Sequence, residues 1–326
     1  MLAAGCAASS AAPARANPAD ASTEPAECVA PSRPGGGFDL TCGLAAQALQ
    51  AVRPTRTPLR TRYLPGGIGA VAFDQVATGR LGGPGTLIAF SSGSLLNIAQ
   101  GRFGPHPASA VRWIATLGTD YGVVAVHRDA PYQRLQDVVA ALRKDSARVV
   151  FGAGGTLGSQ DWMKAALLVR AAGQDPKRMR FVSFEGGGEA LKALRGGHIH
   201  IFTGDAAEAM QAAAQGAPLR VLAVLSQARQ PGNLAGLPTA REQGVDLVWP
   251  TVRGLYMAAS APDAAVRAWT TALREALAAP GYGALCAQYG LYPFALTGDA
   301  LADFVQRSLE EYRQLAQNLG LRAWSR

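Results

Sequence analysis

The sequence predicts an α/β protein of two lobes, each a mostly parallel sheet flanked by helices, with two crossover strands joining them. Three observations predict it. From about residue 25, short β-rich runs alternate with longer helical ones, the mark of βαβ units. Five junctions between a strand and the next helix are rich in glycine: "PGGGFD", "PGGIGA", "SSGSLL", "GAGGTLGSQD" and "FEGGGEA". Two extended stretches, near 118–126 and 246–256, interrupt the alternation.

In chain order, "CVAP" reads as a strand before the helix "GGGFDLTCGLAAQALQAV". "LRTRYLP" precedes the helix "GIGAVAFDQVATGR", and "TLIAFSS" precedes "GSLLNIAQG". "VRWIATLGTDYGVVAVHRD" reads as two strands in near succession. Helix "RLQDVVAALRKD", strand "RVVFGAGG", helix "SQDWMKAALLVRAAG", strand "MRFVSFEG" and helix "GEALKALRGG" follow. Then come strand "IHIFTGD", helix "AAEAMQAAAQG", strand "LRVLAVLS" and the extended "VDLVWPTVRGLYMAAS". From Pro262 onward the chain is expected to be helical, the last helix capped by Thr297 or Asp299 and stopped at Gly320. A chain that leaves one lobe and returns to it divides as 25–120 plus 252–326 for lobe one and 121–251 for lobe two. Two lobes joined by two strands suit hinge closure on a ligand.

The 326 residues are 48% hydrophobic and 17% charged, enough for two domains with cores and unlike a disordered chain. The net charge of +8 is scattered, mostly as arginine, with no basic block or nucleic-acid-binding signature, so no nucleic-acid partner is expected. No apolar run is long enough for a membrane span. Residues 1–24 are rich in Ala, Ser and Pro and read as a disordered leader or tether. "LAAGC" resembles the end of a lipoprotein signal, making Cys6 a candidate lipidation site, and "ARA" at Ala14–Ala16 resembles a signal-peptidase site. The expectation is the remnant of an export signal, with an Ala-rich tail as the alternative. Cys28 and Cys42 flank one short loop. A disulfide is expected there, ahead of inert thiols, and a metal site last, because no CxxC or nearby His supplies further ligands. Cys286 falls in a helical pattern and is expected to be buried.

Each glycine-rich junction offers free backbone N–H groups at the positive end of a helix, which bind carboxylate or phosphate without a cationic side chain. One junction is equally a tight turn; five spread over two lobes argue for an anion cleft. A P-loop is excluded because no lysine follows these glycines. "GAGGTLG" has Leu157 in place of the third dinucleotide-fingerprint glycine, and Asp175, in range for the ribose, precedes a proline in a loop-like stretch. No G-x-S-x-G elbow appears. His198 and His200 share a strand face, read as polar rather than metal-binding, and His106 and His127 have no nucleophile beside them in sequence. Asp39 and Asp205 each end a strand exit, one per lobe. Each is either a helix N-cap or a ligand-facing acceptor for water, ammonium or hydroxyl.

"PGGGFDLTC", "YLPGGIGAVAFDQVA", "TLIAFSSGS", "FGAGGTLGSQD", "FEGGGEALKALRGG" and "FTGDAAEAM" occur in this order. Across roughly residues 25–320 the chain resembles the extracytoplasmic solute receptors of the tripartite tricarboxylate transporter system, the TctC or Bug family. The resemblance implies a type II periplasmic-binding-protein fold and a periplasmic, non-enzymatic monomer without cofactor or metal. It implies capture of a small carboxylate and delivery to a two-subunit membrane permease. Carried over by position, Gly37, Phe38 and Asp39 face the ligand from lobe one, joined by Ser91, Ser92 and Ser94. Gly155, Thr156, Ser159, Gly187, Gly188 and Asp205 face it from lobe two. Two places depart or add. Gln160 and Asp161 stand where many members have histidine, and "WPTVRG" puts Trp249 and Arg253 near the cleft. Arg253 is either a bidentate carboxylate partner or a solvated crossover residue. The competing reading is an α/β enzyme acting on a phosphorylated or CoA-like substrate, which requires a catalytic His or Lys in the cleft. A sensor subunit of the same fold would differ only in its partner.

Overall fold

Strands in this chain alternate apolar side chains to both faces, and so each sheet is sandwiched between helices. The computed structural model describes residues 26–54 and 58–321; the 1–24 leader and Cys6 lie outside the described residues. Eleven strands and ten α-helices follow one another among them. The first half holds β1 (Glu27–Ala30), α1 (Gly37–Val52), β2 (Arg60–Tyr63), α2 (Ala70–Ala77), β3 (Thr86–Ser91), α3 (Ser92–Ala99), β4 (Val111–Tyr121) and β5 (Val123–His127). Next come α4 (Leu135–Asp145), β6 (Val150–Gly154), α5 (Gln160–Ala171), β7 (Arg180–Phe184), α6 (Gly187–Arg195), β8 (Ile201–Phe202), α7 (Ala206–Ala214) and β9 (Leu219–Val224). The chain ends with β10 (Pro250–Ala258), α8 (Asp263–Leu277), α9 (Tyr282–Gln288), β11 (Tyr292–Leu296) and α10 (Gly298–Asn318).

Two sheets form, ordered β11-β4-β10-β3-β1-β2 and β7-β6-β8-β5-β9. They are mixed, not mostly parallel. The βαβ units give the parallel sets β2-β1-β3 and β7-β6-β8. The remaining strands join antiparallel, because β4, β5 and β10 belong to the crossings and run against the units they flank. β4 and β10 pair from Pro250↔Tyr121 to Ala258↔Val111, which sets the two crossings side by side. The crossings are stitched by Gly122 N–H donating to the Trp249 carbonyl at 2.9 Å and Trp249 N–H to the Leu225 carbonyl at 2.7 Å. β11 is the element that the helical expectation for the tail missed. It is a half-exposed edge strand on β4 that contains Pro293, a residue edges tolerate.

Burial follows the period of two. In β3, Leu87 and Ala89 face α1, α8 and Trp269, whereas Ile88 and Phe90 face α2 and α10. In β5, Val124 and Val126 pack with α4 and α5, and Val123 and Ala125 with α6 and α7. α10 touches both lobes. Leu301, Val305 and Leu309 sit on the first sheet, while Ala316 and Leu319 join the core of the second.

Cys28 and Cys42 form a disulfide tying β1 to α1 behind the first glycine loop, and Cys286 is a buried free thiol. The bridge closes a segment with a sequence separation of 14. Its reduction is expected to lower stability by about 3 kcal/mol. Chemical denaturation with and without reductant checks this, and an unchanged midpoint contradicts it.

Candidate functional site

Five helices begin at one place. The N-termini of α1 (Gly36, Gly37, Phe38), α3 (Ser91, Gly93), α5 (Ser159, Gln160, Asp161), α6 (Gly186, Gly187) and α7 (Asp205, Glu208) line a single cavity between the two sheets, of about 50 Å³. It is a consequence of topology: each helix follows a strand whose carboxyl end points to the cleft. Such N-termini hold unsatisfied N–H groups and partial positive charge. Arg253 on β10 supplies the cavity's cationic side chain among the described residues. An adjoining recess of about 370 Å³ shares Ile68, Asn97, Ser159 and Glu185 with the cavity and adds Gly155 and Thr156.

Polar contacts draw the lobes together across this cleft. Gly37 N–H of α1 donates to Glu208 Oε1 of α7 at 2.7 Å. Gln100 Nε2 donates to the Gly158 carbonyl at 2.9 Å. Arg102 donates to the Leu157 carbonyl and to Thr156 Oγ1. Arg33 pairs with Glu189 at 3.3 Å.

Beneath the cavity lies a buried ionic cluster. Asp120, Asp161, Asp205 and Glu208 face Lys164 and Arg253, four carboxyls against two cations. Lys164 Nζ sits 2.7 Å from Asp161 Oδ1, 2.8 Å from Asp205 Oδ1 and 2.8 Å from the Gly204 carbonyl. Arg253 Nη2 donates to Asp205 at 2.9 Å and to Asp120 at 3.1 Å, with Glu208 Oε1 at 4.0 Å. Asp205 also accepts from Thr251 Oγ1 and Gln160 Nε2. Asp120 accepts from Ala207 N–H and so occupies the α7 N-terminus.

The excess of acid shifts the four carboxyls unevenly. Burial, reinforced by Asp205, pushes Glu208 up to about 8. Burial raises Asp120 to about 6 against the pull of Arg253, and raises Asp161 in the same way against Lys164. Burial acts on Asp205 too, but Lys164 and Arg253 outweigh it and hold Asp205 below its ordinary value. Burial works against the charged form of Lys164; Asp161 and Asp205 outweigh it and raise its pKa, keeping it a cation. Near neutrality the cluster therefore keeps a proton, chiefly on Glu208.

The positions carried over from the sequence divide into groups. Gly37, Phe38, Ser91, Ser159, Gly187, Asp205 and Arg253 line the cavity. Gly155 and Thr156 stand in the adjoining recess, and Gly188 lies against the Gly35 carbonyl in an outer recess. Asp39 points elsewhere: its carboxylate accepts from Gly35 N–H and Tyr63 Oη, both at 2.8 Å, and braces the glycine loop. Ser92 accepts from Val252 N–H at 2.9 Å, fastening α3 to β10, while Ser94 accepts from Ser91 N–H in a capping box. Arg253 is not solvated; it is 2% exposed, and its Nε–H has no acceptor among the described residues. Trp249 is buried in the lobe-two core, stacked on Tyr312. Two glycines leave room for the ends of buried side chains. A Cβ at Gly37 would lie 1.9 Å from Arg253 Nη1, and one at Gly187 1.5 Å from Glu208 Oε2. Sequence reasoning missed Asp120, Lys164 and Glu208. The available signals were a lysine amid the apolar residues of α5, three positions after Asp161, and an acid in the first turn of α7.

Among the described residues no helix is long and apolar enough to cross a membrane, and no group of His, Cys, Asp or Glu is placed to hold a metal ion. The family model described as "Tripartite tricarboxylate transporter family receptor" (TctC) matches residues 65–321. A Cupriavidus necator protein, "UPF0065 protein in gbd 5'region", is 22% identical over 216 residues, spanning 66% of this chain and 64% of that one. Solved structures share the fold. An R. palustris protein with adipate superposes with a TM-score of 0.82 at 20% identity, covering 93% of this chain and 99% of that one. The periplasmic binding protein BugD gives 0.79 at 18% identity, covering 91% and 98%. MatC from Rhodopseudomonas palustris with bound malate gives 0.74 at 20% identity, covering 89% and 98%. With the family model matched over most of its length and the two-lobed fold of periplasmic binding proteins, this chain belongs to the tripartite tricarboxylate transporter receptor family.

Proposed function

We propose that this protein is an extracytoplasmic, periplasmic solute receptor. It captures a small organic acid, a di- or tricarboxylate or a related acid, between its lobes and delivers it to a tripartite tricarboxylate-type permease. The observation that carries the reading is the convergence of five helix N-termini on one interlobe cavity. Backbone N–H groups of α1 and α6 together with the Arg253 Nε–H suit a carboxylate, and Gln160 Oε1 and Glu185 Oε2 suit a hydroxyl or a protonated acid; none of these three side-chain atoms has a hydrogen-bond partner among the described residues. Gly37, Phe38, Ser91, Ser159, Gly187, Asp205 and Arg253 form the inner wall of this site, and Gly155 and Thr156 its mouth. Asp39, Ser92 and Ser94 brace the elements that carry it, and Gly188 lies in the outer recess.

A cavity of about 50 Å³ is far below the roughly 300 Å³ at the small end of ligand pockets. Entry therefore requires the lobes to part about the paired crossings, and a ligand that bridges both lobes shifts the equilibrium by its differential affinity. The enzyme alternative asks for a free His or Lys in the cleft. Lys164 is 1% exposed and held as a cation by two carboxylates, which suits neither a base nor a nucleophile.

A thermal-shift panel of mono-, di- and tricarboxylates, aromatic acids, amino acids, nucleotides and a CoA ester tests the reading. An acid at a hundred times its Kd is expected to stabilise the protein by about 2.7 kcal/mol. A shift with a nucleotide or a CoA ester and with no acid overturns it. Thr156→Ala is expected to weaken the binding of any acid found without lowering the melting temperature of the free protein.

A further inference from the structure

We propose that Glu208 is the specificity gate of the cleft: it occupies the anion seat at the N-terminus of α1, and a solute carboxylate takes that seat from it while accepting the Glu208 hydrogen. The inference rests on the solute-receptor reading of the cleft. Its first support is geometric. A carboxyl group from lobe two reaches across the cavity to the first N–H of a 16-residue helix in lobe one, at 2.7 Å, the position where a bound acid would best meet the α1 N-terminus. Gly37 and Gly187 clear the way, since a side chain at either would collide with the Arg253 guanidinium or with Glu208 itself. The second support is the Arg253 Nε–H beside the same seat, buried and without an acceptor among the described residues. The seat thus offers more donor capacity than Glu208 uses.

Charged groups surround Glu208 on every side. Asp205 precedes it on α7, Arg253 comes from β10, Asp120 from β4, and Asp161 with Lys164 from α5. Arg33, Glu189, Lys192 and Arg195 line the outer recess that Glu208 also borders. The net effect of burial and neighbouring acids keeps the carboxyl protonated near neutrality. A protonated glutamic acid has one O–H to donate and a carbonyl oxygen that accepts from Gly37. When a carboxylate enters, Glu208 yields Gly37 N–H and turns its O–H to the newcomer; no covalent bond changes. An ionised Glu208 can only accept, and it repels the ligand in a poorly solvated site. The gate therefore admits carboxylates while it carries its proton and rejects them once it is ionised.

The test has two arms. In the ligand-free protein, the Gly37 amide proton shift is followed by NMR against pH. A titration with a midpoint near 8 that disappears in Glu208→Gln supports occupancy of the seat; a flat profile, or one that persists in Glu208→Gln, overturns it. In the second arm, malate and adipate serve as test ligands, together with any acid found by thermal shift, and calorimetry is run at pH 7 and pH 9. Kd is expected to rise about tenfold in the wild type and less than twofold in Glu208→Gln. Equal pH dependence in both proteins overturns the gate. If no acid binds at any pH, the receptor reading falls and the gate with it, while the Gly37 titration still decides whether Glu208 sits on α1.

Discussion

Arg253→Ala is expected to cost about 3–5 kcal/mol of folding stability at pH 8, among the largest losses a single replacement can cause here. Arg253 joins Asp120 of lobe one to Asp205 of lobe two and stands 4.0 Å from Glu208. Without it three buried carboxyls lose their shared cation, and breaking a buried pair from one side leaves charge that water cannot reach. The loss should be smaller at pH 5. Both Asp120 and Glu208 have raised values in the fold, about 6 and about 8, so at pH 5 both carry protons and need less of the arginine. The same sign governs the wild type. A carboxyl whose folded pKa is raised stabilises most below its unfolded value, and that stabilisation is lost as pH rises through the folded value. Wild-type stability from Glu208 alone should therefore decline between about pH 4.5 and 8. Urea denaturation of both proteins at the two pH values is the measurement, and a loss under about 1 kcal/mol at pH 8 contradicts the buried cluster. Arg253→Lys should recover only part of the loss, because a lysine side chain ends one bond short of Nη2, the nitrogen that meets both Asp120 and Asp205.

Lys164→Met is the second large effect, again about 3–5 kcal/mol. The side chain is wholly buried and its stem runs beside Gly122 at the crossing, where a Cβ would come within 2.6 Å of Lys164 Cδ. Methionine fills much of that stem's volume, so the loss reports charge more than a cavity. It leaves Asp161 and Asp205 facing each other, and Asp205, held low by Lys164 and Arg253, should rise. Replacing both partners is less costly than breaking a pair. The double variant Lys164→Met with Asp161→Asn should thus be more stable than Lys164→Met alone. A double variant whose losses simply add would show that Lys164 acts through packing.

Much of the fold was legible because its signals are local. The βα alternation, the glycine-rich helix starts, the Cys28–Cys42 staple and the two crossings each occupy a few consecutive residues whose periods and turn chemistry act at short range. β11 escaped because a five-residue edge strand with a proline gains its ladder from β4, 170 or so residues earlier in the chain, rather than from its own pattern. The sheets' mixed order escaped for the same reason: strand direction in β4, β5 and β10 is set by which neighbour the crossing meets.

The site was half legible. Gly37, Ser159 and Gly187 could be placed from the sequence because the end of a helix after a strand in such a sheet must point to the cleft. Asp39 could not, since the choice between the cavity and the Gly35–Tyr63 brace depends on Tyr63 of the neighbouring β2. The sequence by itself determined a two-lobed α/β receptor fold with helix N-termini gathered at its cleft. Only the tertiary structure decided that the cleft is floored by Asp120, Asp161, Lys164, Asp205, Glu208 and Arg253. Gly37 and Glu208 lie 171 positions apart, and Asp120 and Arg253 lie 133 apart. Coulomb interactions and desolvation depend on separation in space and on burial, and neither exists until both sheets have folded and the chain has crossed back between them.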